Sequence, residues 1–463
     1  MSRAGTRQCR KCARLEHRVR DLEVQNKELQ DLLEEARRAA KRQACPFSKG
    51  EPKRHPRKPG RKAGKDYGRR ASRPKPRHVD EVLEATLPER CPDCGRRALR
   101  ETDVQAQWQH EIPKVEPKVI QFNVHQGMCD HCGRRVQGRH ARQTSDALGA
   151  AANQIGPTAL ALAGQLNKEL GVPHGRIQGL FERAFGLVVA KATIVRGIER
   201  LAQRAEPLYA NISVIVRQSQ ASTWDETGWR IGGHRAWLWA GASTTATIYL
   251  IRRSRGFDVP VEILGEDYRG GLVADGWSIY DRFRLALRQF CLQHPLRRCV
   301  ELLETGTRGA VHFPRDVKDW IEDALALRDR RDEGRMSAHG LAVAIGRLEA
   351  RMRRMLFWTR ANTANERFAK HLAAHEPFLL NFLRHPELDA TNYRGEQALR
   401  PAVITRKISG GNRTDVGAHA QEVLASFFRT SWQREVDAID VLVRVLCART
   451  PEHVARLAFT DTG

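Results

Sequence analysis

The stretch TWDETGWRI, residues 223–231, places two acids between two tryptophans in a segment whose alternation is typical of a strand. Acidic side chains are poor strand formers, and their burial costs free energy unless they are paired. Asp225 is therefore either a solvated turn residue or the ligand of a positively charged group. The sequence on both sides of this stretch favours the second interpretation.

Two further alternating segments, RAWLWAGAS and TATIYLIR, are predicted to be strands, and FDVPVEILG a short helix. GGLVADGW then has the pattern of a buried strand that ends in Asp275. Two strands of one mixed sheet are thus expected to end in an aspartate each, fifty residues apart. Clustered carboxylates repel one another unless cations hold them together. Their oxygens suit Mg²⁺ or Mn²⁺, and two such ions can activate an attacking oxygen and stabilise the leaving one.

A third carboxylate is expected to complete this site. The candidate is Glu396, in the helical, basic stretch DATNYRGEQALRPAVITRK. The long interval after Asp275 is mostly helical and charged, which predicts a helical insertion over about 300–380. On the residues alone, a solvated surface glutamate is the commoner alternative. Glu226 is adjacent to Asp225 but is expected on the opposite face of the strand.

Composition indicates a binder of polyanions. The 463 residues carry a formal net charge of +25 with 41% hydrophobic residues, which allows a sizeable core and about two to four domains. The apolar runs are shorter than the roughly 20 residues that span a bilayer, and the amino terminus lacks the apolar core of a signal peptide. The expectation is a soluble, cytoplasmic protein without a membrane partner, whose CxxC pairs bind metal more readily than they form disulfides.

An apolar stripe with alternating spacings of four and three runs through residues 13–44. Its members are Leu15, Val19, Leu22, Asn26, Leu29, Leu33, Ala36 and Ala40. A single Asn at an a position favours two parallel strands in register, so the stripe predicts a coiled-coil homodimer. The alternative is a lone surface helix.

Residues 45–78 form a Pro-rich basic segment. Between Pro46 and His78 there are thirteen Lys and Arg, two acids and six prolines, a composition that cannot build a core. Within it, KPGRKAGK is similar to short hooks that enter a narrow A·T minor groove, which makes Lys58, Arg61 and Lys62 candidate DNA contacts. A linker that binds phosphate without reading sequence is the open alternative.

CPDCGRR and CDHCGRR are two nearly identical knuckles within residues 79–144. The segment between them, QWQHEIPKVEPKVIQFNVH, alternates like strand and predicts a small sheet. Cys91, Cys94, Cys129 and Cys132 are then expected to hold one tetrahedral Zn²⁺. Four thiolates leave no open coordination position, so this zinc is structural.

Residues 145–210 lose the charge runs and are predicted to be helical. Two short helices meet at Phe185, Gly186 and Leu187, which suggests a helix-turn-helix. Its second helix would present Lys191, Thr193 and Arg196 to DNA. Plain helix packing is an equally good interpretation of the same pattern.

TWDETGWRI, ADGWSIYDRF, CLQHPLRR and NYRGEQALRPAVITRK together resemble the successive blocks of the IS66-family transposases. The upstream order of zipper, KPGRKAG linker and zinc knuckles is also similar, so the resemblance runs from about residue 15 to about residue 430. It implies an RNase H-like core with an acidic triad at Asp225, Asp275 and Glu396. Cys291 and His294 match a block of that family and are interpreted as structural or as a weak second metal pair.

The resemblance implies a transposase of the DDE type. It would bind the terminal inverted repeats of an insertion element, hydrolyse a phosphodiester with two Mg²⁺ or Mn²⁺ ions, and transfer the 3′-OH into target DNA. Basic residues near Glu396 would neutralise phosphates: Arg394, Arg400, Arg406 and Lys407. Expected partners are DNA, a second copy of the chain and accessory proteins of the element, at the bacterial nucleoid. The alternatives are a zinc-containing DNA-binding regulator without catalysis, or a nuclease on the same core.

The predicted fold class is multidomain α+β with an RNase H-like α/β catalytic core. The expected order is a coiled coil (13–44), a disordered basic linker (45–78), a zinc-ribbon-like module (79–144), a helical DNA-binding segment (145–210), the catalytic domain with its helical insertion (211–430) and a helical tail (431–463).

Overall fold

The computed structural model describes residues 75–97, 99–306, 309–457 and 459, together with scattered residues between 15 and 29. The chain divides into two compact units, Met1–Ile112 and Pro113–Gly463. Mixed helices and strands make up the second unit, in agreement with the predicted mixed α and β composition. None of the described helices is both long and apolar enough to cross a membrane.

The first unit contains part of the predicted coiled-coil stripe. Leu15, Val19, Leu22, Asn26 and Leu29 are helical and exposed. An exposed apolar stripe is what a helix needs in order to pair with a second helix in a coiled coil. The pairing of two copies of the chain stays a prediction. The remaining stripe positions and the basic residues Lys58, Arg61 and Lys62 lie outside the described residues.

The second unit begins with a small antiparallel hairpin, β1 (Gln126–Met128) and β2 (Arg135–Gln137). The strands predicted over residues 107–125 are absent, because that stretch has no regular secondary structure. Most of its apolar residues are exposed; Val119, for example, is 92% exposed. Alternation alone was therefore misleading here, since a strand also needs a partner to bond and a surface to pack on.

Four helices follow: α1 (Pro157–Lys168), α2 (His174–Phe185), α3 (Lys191–Arg204) and α4 (Glu206–Gln218). α2 ends at Gly186, whose φ of 67° lets its own N–H and that of Leu187 bond back to the last turn. Ile194, Ile198 and Leu201 of α3 are buried in the main hydrophobic core. The predicted pair of helices is thus present, and the second of them is also a core element.

A five-stranded mixed sheet lies at the centre of the second unit: β3 (Ala221–Ile231), β4 (His234–Ala242), β5 (Thr247–Arg252), β6 (Gly271–Ala274) and β7 (Leu287–Phe290). Its order is β5-β4-β3-β6-β7, with β3, β4 and β5 antiparallel and β6 and β7 parallel to β3. Helix α5 (Asp258–Leu264) connects β5 to β6 as predicted.

Helices separate β7 from the remainder of the chain. They are α6 (Gln293–Thr305), α7 (His312–Asp332), α8 (Ala338–Phe357), α9 (Thr363–His375) and the short α10 (Asn381–Arg384). Their buried residues pack around Trp320, Phe368 and Phe382 in a hydrophobic core that also includes Val273 of β6 and Phe290 of β7. Helices therefore occupy the interval that was expected to be helical, beginning slightly earlier than residue 300. That they form an insertion into a catalytic domain stays a prediction.

Four helices complete the chain: α11 (Tyr393–Ser409), α12 (Asp415–Gln433), α13 (Ala438–Cys447) and α14 (Pro451–Arg456). α12 lies against the edge strand β5. Its side chains Glu422, Ser426 and Thr430 accept hydrogen bonds from the backbone N–H groups of Ile251, Tyr249 and Thr247 at 2.6, 2.8 and 3.1 Å. These bonds satisfy donors that an edge strand otherwise leaves unpaired.

Candidate active site

Asp225 lies in the middle of β3, so the prediction that its strand ends there is wrong. β3 continues to Ile231 because β4 pairs with it along that whole length. The hairpin turns at Gly232 and Gly233, which have φ values of 58° and 85°. Two consecutive residues with positive φ are typical of the type I′ turn, whose twist matches that of the paired strands. The acid is therefore held inside the sheet.

Asp275 follows the last residue of β6, as predicted. The parallel pairs of β3 and β6, from Ala221 with Gly271 to Thr223 with Val273, all differ by fifty residues. Continued by two residues, the same offset brings Asp275 level with Asp225. Trp277 N–H donates to Asp275 Oδ1 at 3.1 Å, and Glu226 N–H donates to Asp225 Oδ1 at 2.9 Å. A backbone donor thus orients each aspartate.

Glu396 lies in the first turn of α11, which packs on β3. Gly395 comes so close to the strand that a Cβ built there would lie 3.2 Å from Thr223 Cγ2. The buried Asn392 fixes the start of the helix by donating its Nδ2 hydrogen to the carbonyl of Trp224 at 3.2 Å. These contacts bring Glu396 to the stretch of β3 that carries Asp225.

The Cys291 thiol supports the same helix start. Its Sγ accepts the N–H of Asn392 at 3.0 Å, while its own N–H donates to the carbonyl of Ala274 at 3.0 Å. Cys291 therefore joins the residue before Asp275 to the turn that precedes Glu396. His294 is three residues further along the chain, and its Nδ1 is buried with no partner among the described residues.

The pKa of Asp225 is perturbed by its burial and by the neighbouring carboxylates. Burial raises the pKa of Asp225 to about 7, and the charges of Glu226, Asp275 and Glu396 add to the increase. Oxygen ligands that repel one another in a partly desolvated site suit a hard divalent cation. Among the described residues, no group of three or more His, Cys, Asp and Glu side chains is spaced as metal ligands are.

Arg255 was not anticipated from the sequence. Its Nη2 and Nε donate to Glu226 Oε1 at 2.7 and 3.0 Å. The guanidinium carbon also lies 4.4 Å from the ring centre of Trp237 and 4.1 Å from that of Trp277. We name Glu226, Arg255, Trp237 and Trp277 the arginine clamp. It touches both aspartates through the backbone N–H groups of Glu226 and Trp277.

A comparison with family models matches residues 153–420 to the Transposase IS66 family, more than half of the chain. The chain belongs to the IS66 transposase family. A comparison with curated proteins gave no match. Membership supports a transposase role and suggests an enzyme of the DDE type, a class that acts on DNA and generally uses divalent metals. The matched region includes β3, the turn after β6 and the start of α11, and therefore all three candidate acids.

The basic residues of this transposase differ in what they contact. Arg406 is half-buried and donates to Thr227 Oγ1 at 3.0 Å and to the carbonyl of Gly228, so it fastens α11 to β3. Arg394 donates to Asp389 at 2.6 Å. Arg400 and Lys407 are exposed on α11. On α3, Lys191 and Arg196 are exposed and Thr193 is half-buried.

The two cysteine knuckles of the transposase have the same backbone conformation. In the first, Cys91 N–H donates to the carbonyl of Arg96, and Gly95 N–H donates to that of Cys91, both at 2.9 Å. The second repeats this pattern between Cys129, Arg134 and Gly133. Neighbouring N–H groups, chiefly those of Cys94 and Cys132, lower the pKa of the Cys91 and Cys129 thiols. Thiolate is the form that zinc binds.

Proposed function

We propose that this transposase hydrolyses a phosphodiester at the ends of its element and transfers the liberated 3′-OH into target DNA. The observation that carries the proposal is the approach of three acids, from β3, from the end of β6 and from the first turn of α11. The charges of Asp275 and Glu396 each raise the pKa of Asp225. Family membership supplies the substrate class, DNA.

The acids Asp225, Asp275 and Glu396 fit two Mg²⁺ or Mn²⁺ ions by the chemistry of their donors, which are all carboxylate oxygens. Such ions, when bound, activate the attacking oxygen and stabilise the leaving oxygen. The chain's own part is to position the ligands: the N–H groups of Glu226 and Trp277 orient the two aspartates. Arg297, 3.4 Å from Glu396, and the exposed Arg400 and Lys407 supply positive charge for phosphates.

The proposed architecture of the catalytic domain is an RNase H-like core with a helical insertion. Support comes from the sheet order β5-β4-β3-β6-β7, from its antiparallel first half and parallel second half, and from helices on both faces. Support for the insertion comes from the hydrophobic core that α6 to α10 form against β6 and β7, which is distinct from the core that contains α1 to α4. In this arrangement the insertion enters the chain between the second and third acids.

The remaining proposals concern DNA recognition and assembly. Lys58, Arg61, Lys62, Lys191, Thr193, Arg196, Arg400, Arg406 and Lys407 are the proposed DNA contacts. Cys91, Cys94, Cys129 and Cys132 would hold a structural Zn²⁺, supported by the identical backbone conformation of the two knuckles. The coiled coil would pair two copies of the chain, and with them two element ends, at the bacterial nucleoid together with accessory proteins of the element.

A strand-cleavage and joining assay tests the proposal. Labelled element-end DNA is incubated with Mg²⁺ or Mn²⁺ and with wild type, Glu396→Gln or the control Glu304→Gln, an exposed glutamate of α6. We expect wild type and the control to cut and join, while Glu396→Gln still binds the ends but does neither. The amide keeps the shape of the side chain but removes the charge that holds a cation.

Each other outcome has a definite meaning. If all three proteins bind DNA and none cuts it, even with cell extract as a source of accessory proteins, the protein is a DNA-binding regulator. If wild type cuts but never joins, it is a nuclease on the same core. If Glu396→Gln cuts as well as wild type, another residue completes the site.

A further inference from the structure

A cavity of about 870 Å³ lies beside the acids and has no role in the function proposed above. Its wall includes Ala242, the residue of β4 that pairs with Thr223, two positions before Asp225. Tyr393, Arg394 and Gln397, which flank Glu396 in the first turns of α11, form another part of the wall. None of the three acids is part of the wall, but neighbours of Glu396 and the β4 partner of Thr223 are, so the cavity is close to the candidate active site.

The lining combines aromatic rings with arginines. Tyr393 on α11 and Trp432 on α12 are 63% and 64% exposed, which is unusual for side chains of this size on packed helices. Arg328, Arg394 and Arg429 also line the cavity, against the acids Asp389 and Glu435. Exposed rings next to guanidinium groups provide a stacking surface and positive charge together.

Arg429 indicates the kind of ligand most directly. Its guanidinium carbon lies 4.4 Å from the ring centre of Trp432, so it orients the indole. Its Nε is buried, and no described residue accepts the hydrogen. A buried donor without an acceptor is costly. Because the Arg429 side chain lines the cavity, a small shift of its guanidinium group would let a charged ligand oxygen, such as that of a phosphate, supply the missing bond.

We propose that this cavity binds an unpaired nucleotide of the DNA strand, with its base on Trp432 and its phosphate at Arg429. The inference rests on the proposed function, because it makes DNA the ligand. A volume of about 870 Å³ is within the range of small-molecule sites, roughly 300–1,000 Å³, and suits a nucleotide or two. A base in a duplex is stacked on its neighbours on both faces, so only an unpaired one can present a face to the indole.

Binding of the full-length protein to a duplex of arbitrary sequence tests this without cleavage. One form is blunt, and the other has a three-nucleotide single-stranded 3′ extension that ends in the fluorescent base 2-aminopurine. EDTA is present throughout. We expect wild type to bind the extended duplex roughly ten-fold more tightly and to quench the fluorophore, since stacking of a base on an aromatic ring has about that effect on affinity.

Matched variants identify the ring. Trp432→Ala should lose both the preference and the quenching, and Trp432→Phe should keep most of each. Trp358→Ala, which removes a tryptophan that is 71% exposed and is not part of the cavity wall, should behave as wild type. An abasic extension, which keeps the phosphate but has no base to stack, should lose most of the preference that wild type shows over the blunt duplex.

The proposal is overturned if wild type shows no preference for the extension, or if Trp432→Ala retains it. Neither result bears on the proposed transposase activity, because that activity is measured separately, by cleavage of element-end DNA in the presence of Mg²⁺. Conversely, a wild-type protein that never cuts DNA in Mg²⁺ but shows the Trp432-dependent preference in EDTA would refute catalysis and keep the nucleotide site.

Discussion

Asp225 keeps its place between Trp224 and Trp229 because the sheet supplies what an isolated acid lacks. The N–H of Glu226 bonds its Oδ1, and the hairpin pairing continues on both sides of it. The cost remains visible in its pKa of about 7, well above the ordinary value of 3.8. A site that is this unfavourable for an ionised acid is one that a bound cation stabilises.

The raised pKa of Asp225 predicts how stability changes with pH in the metal-free protein. Between about pH 4 and pH 7 the unfolded chain loses the proton of Asp225 while the folded chain retains it, so the free energy of unfolding falls as pH rises. Asp225→Asn cannot ionise at this position, so its free energy of unfolding should not fall for this reason. At pH 8 the variant should be more stable than wild type by about 1–4 kcal/mol. Urea denaturation of both proteins at pH 4 and pH 8 in EDTA measures this difference in the free energy of unfolding.

The two proteins should differ much less at pH 4, where Asp225 is protonated in the folded state and, at its ordinary pKa of 3.8, only about half ionised in the unfolded state. Added Mg²⁺ should narrow the gap at pH 8, because it stabilises the ionised acid of wild type only. Equal stability of wild type and Asp225→Asn at every pH would show that this carboxyl is well solvated.

Arg255 is the residue whose conservative replacement is most informative. Arg255→Lys keeps the charge but loses the planar group that stacks between Trp237 and Trp277 and bonds Glu226 through two nitrogens. Both aspartates then lose their support, and single-turnover cleavage should slow by about 10–100-fold, as with other groups that orient metal ligands. DNA binding should not change.

Arg253→Lys is the control, because Arg253 is an exposed arginine on the same loop that pairs with Asp415 at 3.3 Å. The Mg²⁺ concentration that gives half-maximal cleavage should rise for Arg255→Lys and not for the control. Identical cleavage by the two variants would mean that the arginine clamp has no part in orienting the acids.

At the scale of elements, α11 is fastened to β3 along its length. Asn392 bonds the carbonyl of Trp224, Arg406 bonds Thr227, and the loop after the helix returns to the end of the strand. There Asn412 N–H donates to the carbonyl of Arg230 at 2.9 Å, and Trp229 Nε1 donates to Asn412 Oδ1 at 2.7 Å. Glu396 is thus positioned from both ends of its helix.

Gly411 in that loop should be the most sensitive glycine of the site. Its φ is 118°, and a Cβ would lie 2.4 Å from the carbonyl oxygen of Arg230. Gly411→Ala should lower the free energy of unfolding by about 3 kcal/mol or more, through backbone strain and a clash that only movement of β3 or the loop can relieve. Urea denaturation measures this.

The neighbouring Gly410 is a matched control. It also has a positive φ, 75°, but a Cβ there would meet nothing within 4 Å. Gly410→Ala should cost only the conformational strain, about 1 kcal/mol. Equal losses for the two variants would show that the loop does not press against β3.

Elements with a simple period were predictable from the sequence, and contacts made at long range were not. The alternation of β4 and β5 and the helical insertion follow from local pattern. The length of β3 does not, because an acid ordinarily ends a strand and here the hairpin pairing outweighs that tendency. The local signal for Glu396 is weak, because most glutamates on helices are solvated, and the family resemblance is what favours it as the third acid. Arg255 reaches Glu226 across 29 residues, a distance at which periodicity carries no information.

At the scale of the molecule, the net charge of +25 predicts a strong dependence of DNA affinity on salt. Replacing Lys58, Arg61 and Lys62 by Gln should reduce the slope of log K against log salt by up to about 2.7, the value for three phosphate contacts. Titrations of one duplex at several salt concentrations measure the slope. An unchanged slope would exclude these residues from the DNA interface.

The same triple variant separates the two interpretations of the basic linker. If the segment is a minor-groove hook, the triple variant should lose more affinity for A·T-rich than for G·C-rich duplexes, because the narrow A·T groove has the stronger negative potential. If the linker binds only phosphate, the triple variant should lose the same affinity for A·T-rich and for G·C-rich duplexes.

The bonds from α12 to the edge strand β5 have a consequence for protein synthesis. The strand leaves the ribosome more than 160 residues before Glu422, Ser426 and Thr430, whose side chains bond its backbone N–H groups. Translation proceeds at about 5–20 residues per second, so the nascent sheet keeps an open, aggregation-prone edge for roughly ten seconds or longer. Glu396 emerges in the same late interval. A polypeptide terminated before α11 would therefore expose this edge and lack the third acid, and would be both poorly soluble and unable to cut DNA.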